Sequence, residues 1–233
     1  CGDCGVKSNC LSVVPVDTGY GEKRAIDQYT CNLDFSCVNG FCPAIVSVEG
    51  GTLRTQRRGA PPEADGPVLP EPQLPPLDRP YGLLLAGVGG TGVVTIGALL
   101  GMAAHLEGKA VTVLDMTGLS QKGGAVMSHV RIAQRQQELH AVRIDTGQAD
   151  ALIGCEMRVC AGAEVLSKLR LGFSRAVVNT ARVIGGDFIR QGGQASTPDP
   201  AQQLLHAAVG AGAVVLLDAT QLAAGLLGHS IYA

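Results

Sequence analysis

A proline-rich segment divides the chain into two parts. Eight of the twenty residues from Pro61 to Pro80 are proline. Because proline lacks a backbone N–H and its ring fixes φ, such a segment joins neither a helix nor a sheet ladder and favours an extended polyproline conformation. We therefore predict a small cysteine-rich segment over residues 1–50, a semi-rigid linker over 51–80 and a larger domain over 81–233.

The larger domain has the sequence pattern of an α/β fold. Residues 82–86 form a continuously apolar run, typical of a strand buried on both faces, and residues 93–106 have the pattern of a helix. Further strands are predicted over 110–114, 125–132, 149–153, 175–178 and 213–217, and further helices over 163–169, 200–209 and 220–227. Strands that alternate with helices predict a Rossmann-like α/β domain, with a mostly parallel sheet and flanking helices.

The composition argues against two classes of partner. With 18 Lys and Arg against 20 Asp and Glu, and only 3% aromatic residues, no basic or stacking surface points to nucleic acid. No apolar run reaches the ~18 residues that a membrane span needs, so we expect a cytoplasmic protein without a membrane partner. Since the chain begins at Cys1 and ends within an apolar helical pattern, we expect an internal, C-terminally truncated fragment of a longer polypeptide.

Six of the eight cysteines fall within the first 42 residues and are candidate metal ligands. They are Cys1, Cys4, Cys10, Cys31, Cys37 and Cys42. Disulfides suit small secreted domains rather than a segment joined to an α/β domain without a secretory signal. Zinc is a second alternative, and it would make the segment a zinc-stapled interaction module. Structural zinc sites usually place their ligands as C-x2-4-C pairs, and the second triplet of cysteines fits that spacing poorly.

An iron–sulfur cluster is the interpretation that the spacing favours. Four thiolates hold a cubane cluster, and closely spaced cysteines let one loop surround it. Pro43 directly after Cys42 resembles the C-P ending of bacterial ferredoxin motifs, although the remaining spacing departs from those motifs. The spacing does not assign particular thiols to one cluster. Cys155 and Cys160 lie in an apolar context within the α/β domain, and we interpret them as core residues.

A glycine-rich turn follows the first strand of the α/β domain. Gly87, Gly89, Gly90 and Gly92 match the G-x-G-x-x-G pattern between a predicted strand and a predicted helix. By this pattern alone the turn is a dinucleotide site of an NAD(P)- or FAD-dependent dehydrogenase, with Asp115 on a ribose hydroxyl. Alternatively, the glycines serve only a tight turn and close helix packing.

A second glycine-bearing loop, residues 117–124, follows the next strand, at the edge where open α/β sheets bind ligands. Its Ser120, Gln121 and Lys122 offer a hydroxyl, an amide and a cation that suit a carboxylate or phosphate. A solvated surface loop is the equal alternative, and these three residues are the candidates for a catalytic contribution. His129 lies inside a predicted strand and is interpreted as a packed core histidine.

The chain resembles the fused indolepyruvate:ferredoxin oxidoreductases, members of the 2-oxoacid:ferredoxin oxidoreductase superfamily. The run from Cys1 to Cys10 looks like their cluster-binding segment, and the match continues through Ile26-Asp27-Gln28, Cys31-Asn32, Asp34-Phe35-Ser36-Cys37 and Gly40-Phe41-Cys42-Pro43. After the linker, residues 87–92, 117–124 and 217–220 are similar to that family's gamma-type domain. The resemblance covers essentially the whole chain.

The resemblance implies an enzyme that oxidatively decarboxylates aryl 2-oxoacids such as indolepyruvate to acyl-CoA. It implies thiamine diphosphate as electron sink, [4Fe–4S] clusters as carriers of single electrons, CoA as co-substrate and ferredoxin or a similar protein as acceptor. The thiamine-binding domains are expected upstream of Cys1 in the same polypeptide, whose full-length form is expected to be a homodimer. The fragment alone is therefore expected to be inactive. The resemblance also argues against NAD at the glycine turn, where the pyrophosphate of CoA is the remaining conjecture.

Overall fold

A computed structural model describes residues 2–28, 30–42, 46, 48–52, 70–118, 124–181, 183 and 199–227. The cysteine-rich segment begins with helix α1 (Asp3–Ser8), followed by an antiparallel hairpin of β1 (Val13–Thr18) and β2 (Gly21–Ile26). A short 3-10 turn covers Ser36–Asn39. The sequence indicated a turn around residues 17–21 but not the two strands, because their outer faces are polar and exposed.

The larger domain contains a six-stranded sheet. Its strands are β3 (Tyr81–Val88), β4 (Ala110–Thr117), β5 (Ala125–Ala133), β6 (Ala151–Gly154), β7 (Arg175–Asn179) and β8 (Val214–Leu217). The spatial order is β4-β5-β3-β6-β7-β8. The ladders β3–β6, β6–β7 and β7–β8 are parallel, whereas β5 runs antiparallel to both of its neighbours. The predicted α/β class with a mostly parallel sheet is therefore confirmed.

Helices flank this sheet. They are α2 (Val93–Leu106), α3 (Met157–Cys160), α4 (Ala163–Lys168), α5 (Pro200–Val209) and α6 (Ala219–Leu227). The predicted helix over residues 93–106 is confirmed at both ends, and the other predicted helices agree within one residue. Among the helices in the described part of the chain, none has the length and apolarity required to cross a bilayer.

Strand β3 lies between two apolar layers, as its continuous apolar run predicts. Leu84 packs on one face, in a core to which α3, α4 and α5 contribute Cys160, Val165 and Leu205. Leu85 packs on the opposite face, in a core that also contains Val93 of α2. A central strand with helices on both sides buries both of its faces, and this arrangement holds the carboxyl end of β3 in a fixed position.

Helix α2 lies unusually close to β5 and β4. A Cβ placed on Gly97 would overlap the Ser128 hydroxyl and lie 3.1 Å from the Ser128 Cβ. A Cβ placed on Gly101, one turn further along, would lie 2.7 Å from the Val113 side chain. Any side chain at these two positions would therefore push the helix away from the sheet.

Candidate functional site

The cysteine-rich segment brings its two groups of cysteines together. A Cβ placed on Gly40 would lie only 2.5 Å from the Cα of Cys4, so the turn before Cys42 packs directly on α1. The backbone N–H of Phe41 donates a hydrogen bond of 2.7 Å to the Asp3 carboxylate. Residues 38 positions apart in sequence are thereby held in contact. The segment therefore folds back on itself, and its two ends meet where the residues after the 3-10 turn contact α1.

The pKa of the Cys4 thiol also reflects the proximity of other cysteines. Burial raises the pKa of the Cys4 thiol, and the nearby Cys42 and Cys37 raise this pKa further because their thiolates are like charges. Cys31 accepts a hydrogen bond of 3.4 Å from the Leu33 N–H, the type of contact that stabilises a thiolate. Cys4, Cys10, Cys31, Cys37 and Cys42 are all free thiols in the structure. Cys1, the remaining predicted ligand, lies outside the described residues.

These residues fit a thiolate-bound centre in donor chemistry and in topology. Soft thiolates are the ligands that iron–sulfur clusters take, and two separate stretches of chain, around Cys4 and around Cys37 and Cys42, contribute them. Within the described ranges, however, no three Cys, His, Asp or Glu side chains stand close enough to form a ready-made metal site. The structure therefore shows Cys4 near Cys37 and Cys42 without the final ligand geometry, and the assignment of all six cysteines to a metal stays a prediction.

The glycine-rich turn lies at the carboxyl end of β3, where the sequence predicted it. Gly90 and Gly92 have positive φ angles of 98° and 83°, which L-residues with a Cβ rarely adopt. The second glycine-bearing loop ends beside this turn, since the Gly89 N–H donates to the Gly124 carbonyl at 2.9 Å. Both loops therefore belong to one edge of the sheet. Their candidate residues Ser120, Gln121 and Lys122 lie outside the described residues.

Asp115 does not occupy the position that a dinucleotide fold gives its ribose-binding acid. In that fold the strand that carries the acid lies next to the strand before the glycine turn. Here β5 lies between β3 and β4, so Asp115 is two strand spacings, about 9–10 Å, from β3. Asp115 also lies before the end of β4 rather than at it, and its carboxylate faces Gly97 in the second turn of α2.

Three other sequence interpretations concern single buried residues, and the structure confirms all three. His129 is fully buried, and burial lowers its pKa to about 4, with further lowering by the positive charges of Arg143 and Lys168. Its Nδ1 accepts the Ile144 N–H at 3.1 Å, so the ring is neutral and part of the core. Cys155 and Cys160 are also buried, and burial raises the pKa of Cys160 to about 12.

Sequence reasoning missed a cavity at the opposite, amino-terminal edge of the sheet. This cavity of about 560 Å³ is lined by the side chains of Arg79, Arg131 and Arg143. Arg79 forms a two-pronged ion pair with the buried Asp150, and Arg143 pairs with Glu164 at 2.8 Å. These arginines are far apart in sequence and follow no spacing rule, so no pattern could have grouped them.

Comparisons with known proteins identify the family of the α/β domain. Residues 82–233 match the family model described as pyruvate ferredoxin/flavodoxin oxidoreductase. The chain is 33% identical over 78 residues to an indolepyruvate oxidoreductase subunit IorB of Thermococcus kodakarensis, covering 34% of this chain and 37% of that protein. It is 32% identical over 103 residues to the IorB subunit of Archaeoglobus fulgidus, covering 44% of this chain and 47% of that protein.

Among solved structures, the pyruvate oxidoreductase subunit PORC of Thermotoga maritima aligns with a TM-score of 0.46 and 16% sequence identity. That alignment covers 66% of this chain and 70% of the other. The alignments with the two IorB subunits span less than half of the length of those proteins. The family match covers the α/β domain from its first strand onward, and on that basis the chain belongs to the pyruvate ferredoxin/flavodoxin oxidoreductase family.

Proposed function

We propose that this chain is part of an enzyme that oxidatively decarboxylates aryl 2-oxoacids such as indolepyruvate. In the proposed reaction the 2-oxoacid loses CO2 and its acyl carbon forms a thioester with CoA. One proton is released, and two electrons leave one at a time to ferredoxin. The single observation that carries the proposal is the family match over residues 82–233. The IorB relatives, whose names specify indolepyruvate, support the aryl substrate.

The proposed role of the cysteine-rich segment is to carry these electrons. An iron–sulfur cluster, when bound, supplies one-electron transfer, which a hydride carrier does not. The chain's own contribution is to present its thiols together, and the contact of Gly40 with Cys4 and the Asp3–Phe41 hydrogen bond support this role. We propose Cys1, Cys4, Cys10, Cys31, Cys37 and Cys42 as the residues from which the ligands are drawn.

The remaining components of the enzyme are proposed from the resemblance. Thiamine diphosphate would be bound mainly by upstream domains of the same polypeptide, and CoA would enter as co-substrate. The full-length chain would form a homodimer that transfers electrons to ferredoxin. Light scattering of the full-length protein tests the dimer, and ferredoxin reduction with indolepyruvate and CoA tests the reaction. A strong preference for pyruvate or 2-oxoglutarate over indolepyruvate would contradict the aryl substrate.

Anaerobic reconstitution with iron and sulfide tests the electron-carrying role directly. We expect a brown protein whose reduced form gives the EPR signal of a cubane cluster, and we expect Cys4→Ser and Cys42→Ser to lose it. Cys155→Ser is the matched control, because Cys155 belongs to the α/β core and should leave the signal intact. A folded but colourless protein would contradict the role. Bound zinc without acid-labile sulfide would select the zinc-stapled interaction module instead.

A further inference from the structure

The backbone of the glycine-rich turn is largely engaged within the protein. The Gly89 N–H donates to the Gly124 carbonyl at 2.9 Å, and the Thr91 N–H donates to the Val88 carbonyl at 3.0 Å. In a dinucleotide site, the N–H groups of such a turn and of the following helix face the pyrophosphate. Two of the turn's donors are therefore already satisfied by neighbouring carbonyls.

The first glycine of the turn serves packing. A Cβ placed on Gly87 would lie 2.8 Å from the Cys155 Cβ and 2.9 Å from the Val93 side chain. The strand β3 can thus approach β6 and α2 only because this position carries no side chain. Gly87 leaves no space that a ligand could enter.

The third glycine faces the cysteine-rich segment. A Cβ placed on Gly90 would lie 3.0 Å from Leu11 Cδ1, and no other atom beyond Gly90 and its two chain neighbours lies within 4 Å of that position. Leu11 directly follows Cys10, and the next two residues, Ser12 and Val13, are each only 3% exposed. The apolar side chain of Leu11 therefore packs against Gly90, at the position where a Cβ would stand. Gly90 has a positive φ, which also favours a residue without a side chain.

We propose that the glycine-rich turn is the docking surface for the cysteine-rich segment, with Leu11 as the anchor, rather than a nucleotide site. The occupant is a part of the same chain, already seated on the turn. Adjacent Cα atoms are about 3.8 Å apart, so the anchor holds Cys10 within one residue of the sheet's carboxyl edge. Docking thus determines where the thiols stand relative to the α/β domain, although a proline-rich linker connects the two parts.

Site-specific photo-cross-linking tests the docking and requires no bound metal, so its outcome is independent of the electron-carrying role. Benzoylphenylalanine at position 11 should cross-link to the peptide that contains Gly89–Thr91. The matched control is the same residue at position 20, since Tyr20 lies in the same segment but is 91% exposed. Equal cross-linking from both positions, or cross-links from position 11 that avoid the turn, would overturn the proposal.

One disruptive and one conservative variant supply a second measurement in case the bulky probe disturbs the segment. Amide hydrogen exchange over residues 88–92 should rise at least roughly fivefold in Leu11→Asp and stay unchanged in Leu11→Met. Unchanged exchange in the aspartate variant would refute the anchor. Titration with NADH and with inorganic pyrophosphate tests the alternative that the turn binds a nucleotide. Saturable binding that Asp115→Ala weakens and that displaces the position 11 cross-link would assign the turn to a nucleotide.

Discussion

Protonation of His129 should govern the acid stability of the α/β domain. The ring is fully buried on the side of the sheet that carries Leu84 and Ile144, and its Nδ1 accepts a backbone N–H. Among charged groups, Arg143, Lys168 and Glu164 influence it, and the two cations outweigh the acid in lowering its pKa. The neutral ring therefore fits this environment and the imidazolium does not.

The magnitude follows from the difference between two pKa values. A histidine has a pKa of 6.5 in the unfolded chain and His129 has one of about 4 in the folded protein. Between these values the unfolded state binds more protons, so stability is complete above about pH 6.5, falls between about pH 6.5 and 4, and levels off below about pH 4. At about 1.4 kcal/mol per pKa unit, the loss reaches about 3 kcal/mol in full and about 2 kcal/mol by pH 5.

Urea unfolding of the wild type and of His129→Asn between pH 7.5 and 4 measures this effect. The asparagine keeps an acceptor but does not titrate, so the difference in unfolding free energy between the two proteins should shrink by about 3 kcal/mol toward low pH. Replacing the exposed His105 by asparagine is the matched control, because it makes the same substitution at a surface position. A difference that is flat between pH 7 and 4 would refute the assignment of His129 as a neutral core residue.

Two further predictions concern helix placement and capping, both measured by urea unfolding. Gly97→Ala should destabilise the protein by about 1–3 kcal/mol through overlap with Ser128, whereas Gly225→Ala in the open surroundings of α6 should stabilise it by up to about 1 kcal/mol. Equal effects would mean that α2 has room against β5. Asp199→Ala should cost about 0.5–2 kcal/mol, because the Asp199 carboxylate caps α5 by accepting the Ala201 N–H at 2.9 Å. Asp199→Asn should retain most of that capping energy.

Local sequence patterns predicted most elements of the α/β domain, although they missed the β1–β2 hairpin and the short helix α3. The run over residues 82–86 is apolar without alternation because β3 is covered on both faces. A strand in that environment can therefore be recognised from its residue types alone. The fourteen residues of α2 are bounded by the glycine turn and by a terminal Gly108, both of which are local signals. Such signals depend on the chain's near neighbours and need no tertiary information.

The arrangement of the strands was harder to predict from the glycine fingerprint. That fingerprint predicted Asp115 at the ribose of a dinucleotide on the turn, a placement that requires β4 beside β3, whereas the structure places β5 between them. Only seven residues, 118–124, connect β4 to β5, which is too short for the crossover that a parallel pair requires. The loop length therefore contained the information that β5 is antiparallel. That β5 enters the sheet between β3 and β4 depended on long-range pairing.

The sequence by itself determined most elements of the α/β domain, the proline-rich stretch that precedes it and the presence of six thiols near the beginning of the chain. Each of these properties is set by neighbours along the chain, through periodicity, ring constraints or residue chemistry. The tertiary structure alone decided that Gly40 packs on Cys4, that β5 separates Asp115 from the glycine turn and that Leu11 faces Gly90. These contacts join residues that are distant in sequence, and only packing and strand pairing across the whole fold can select them.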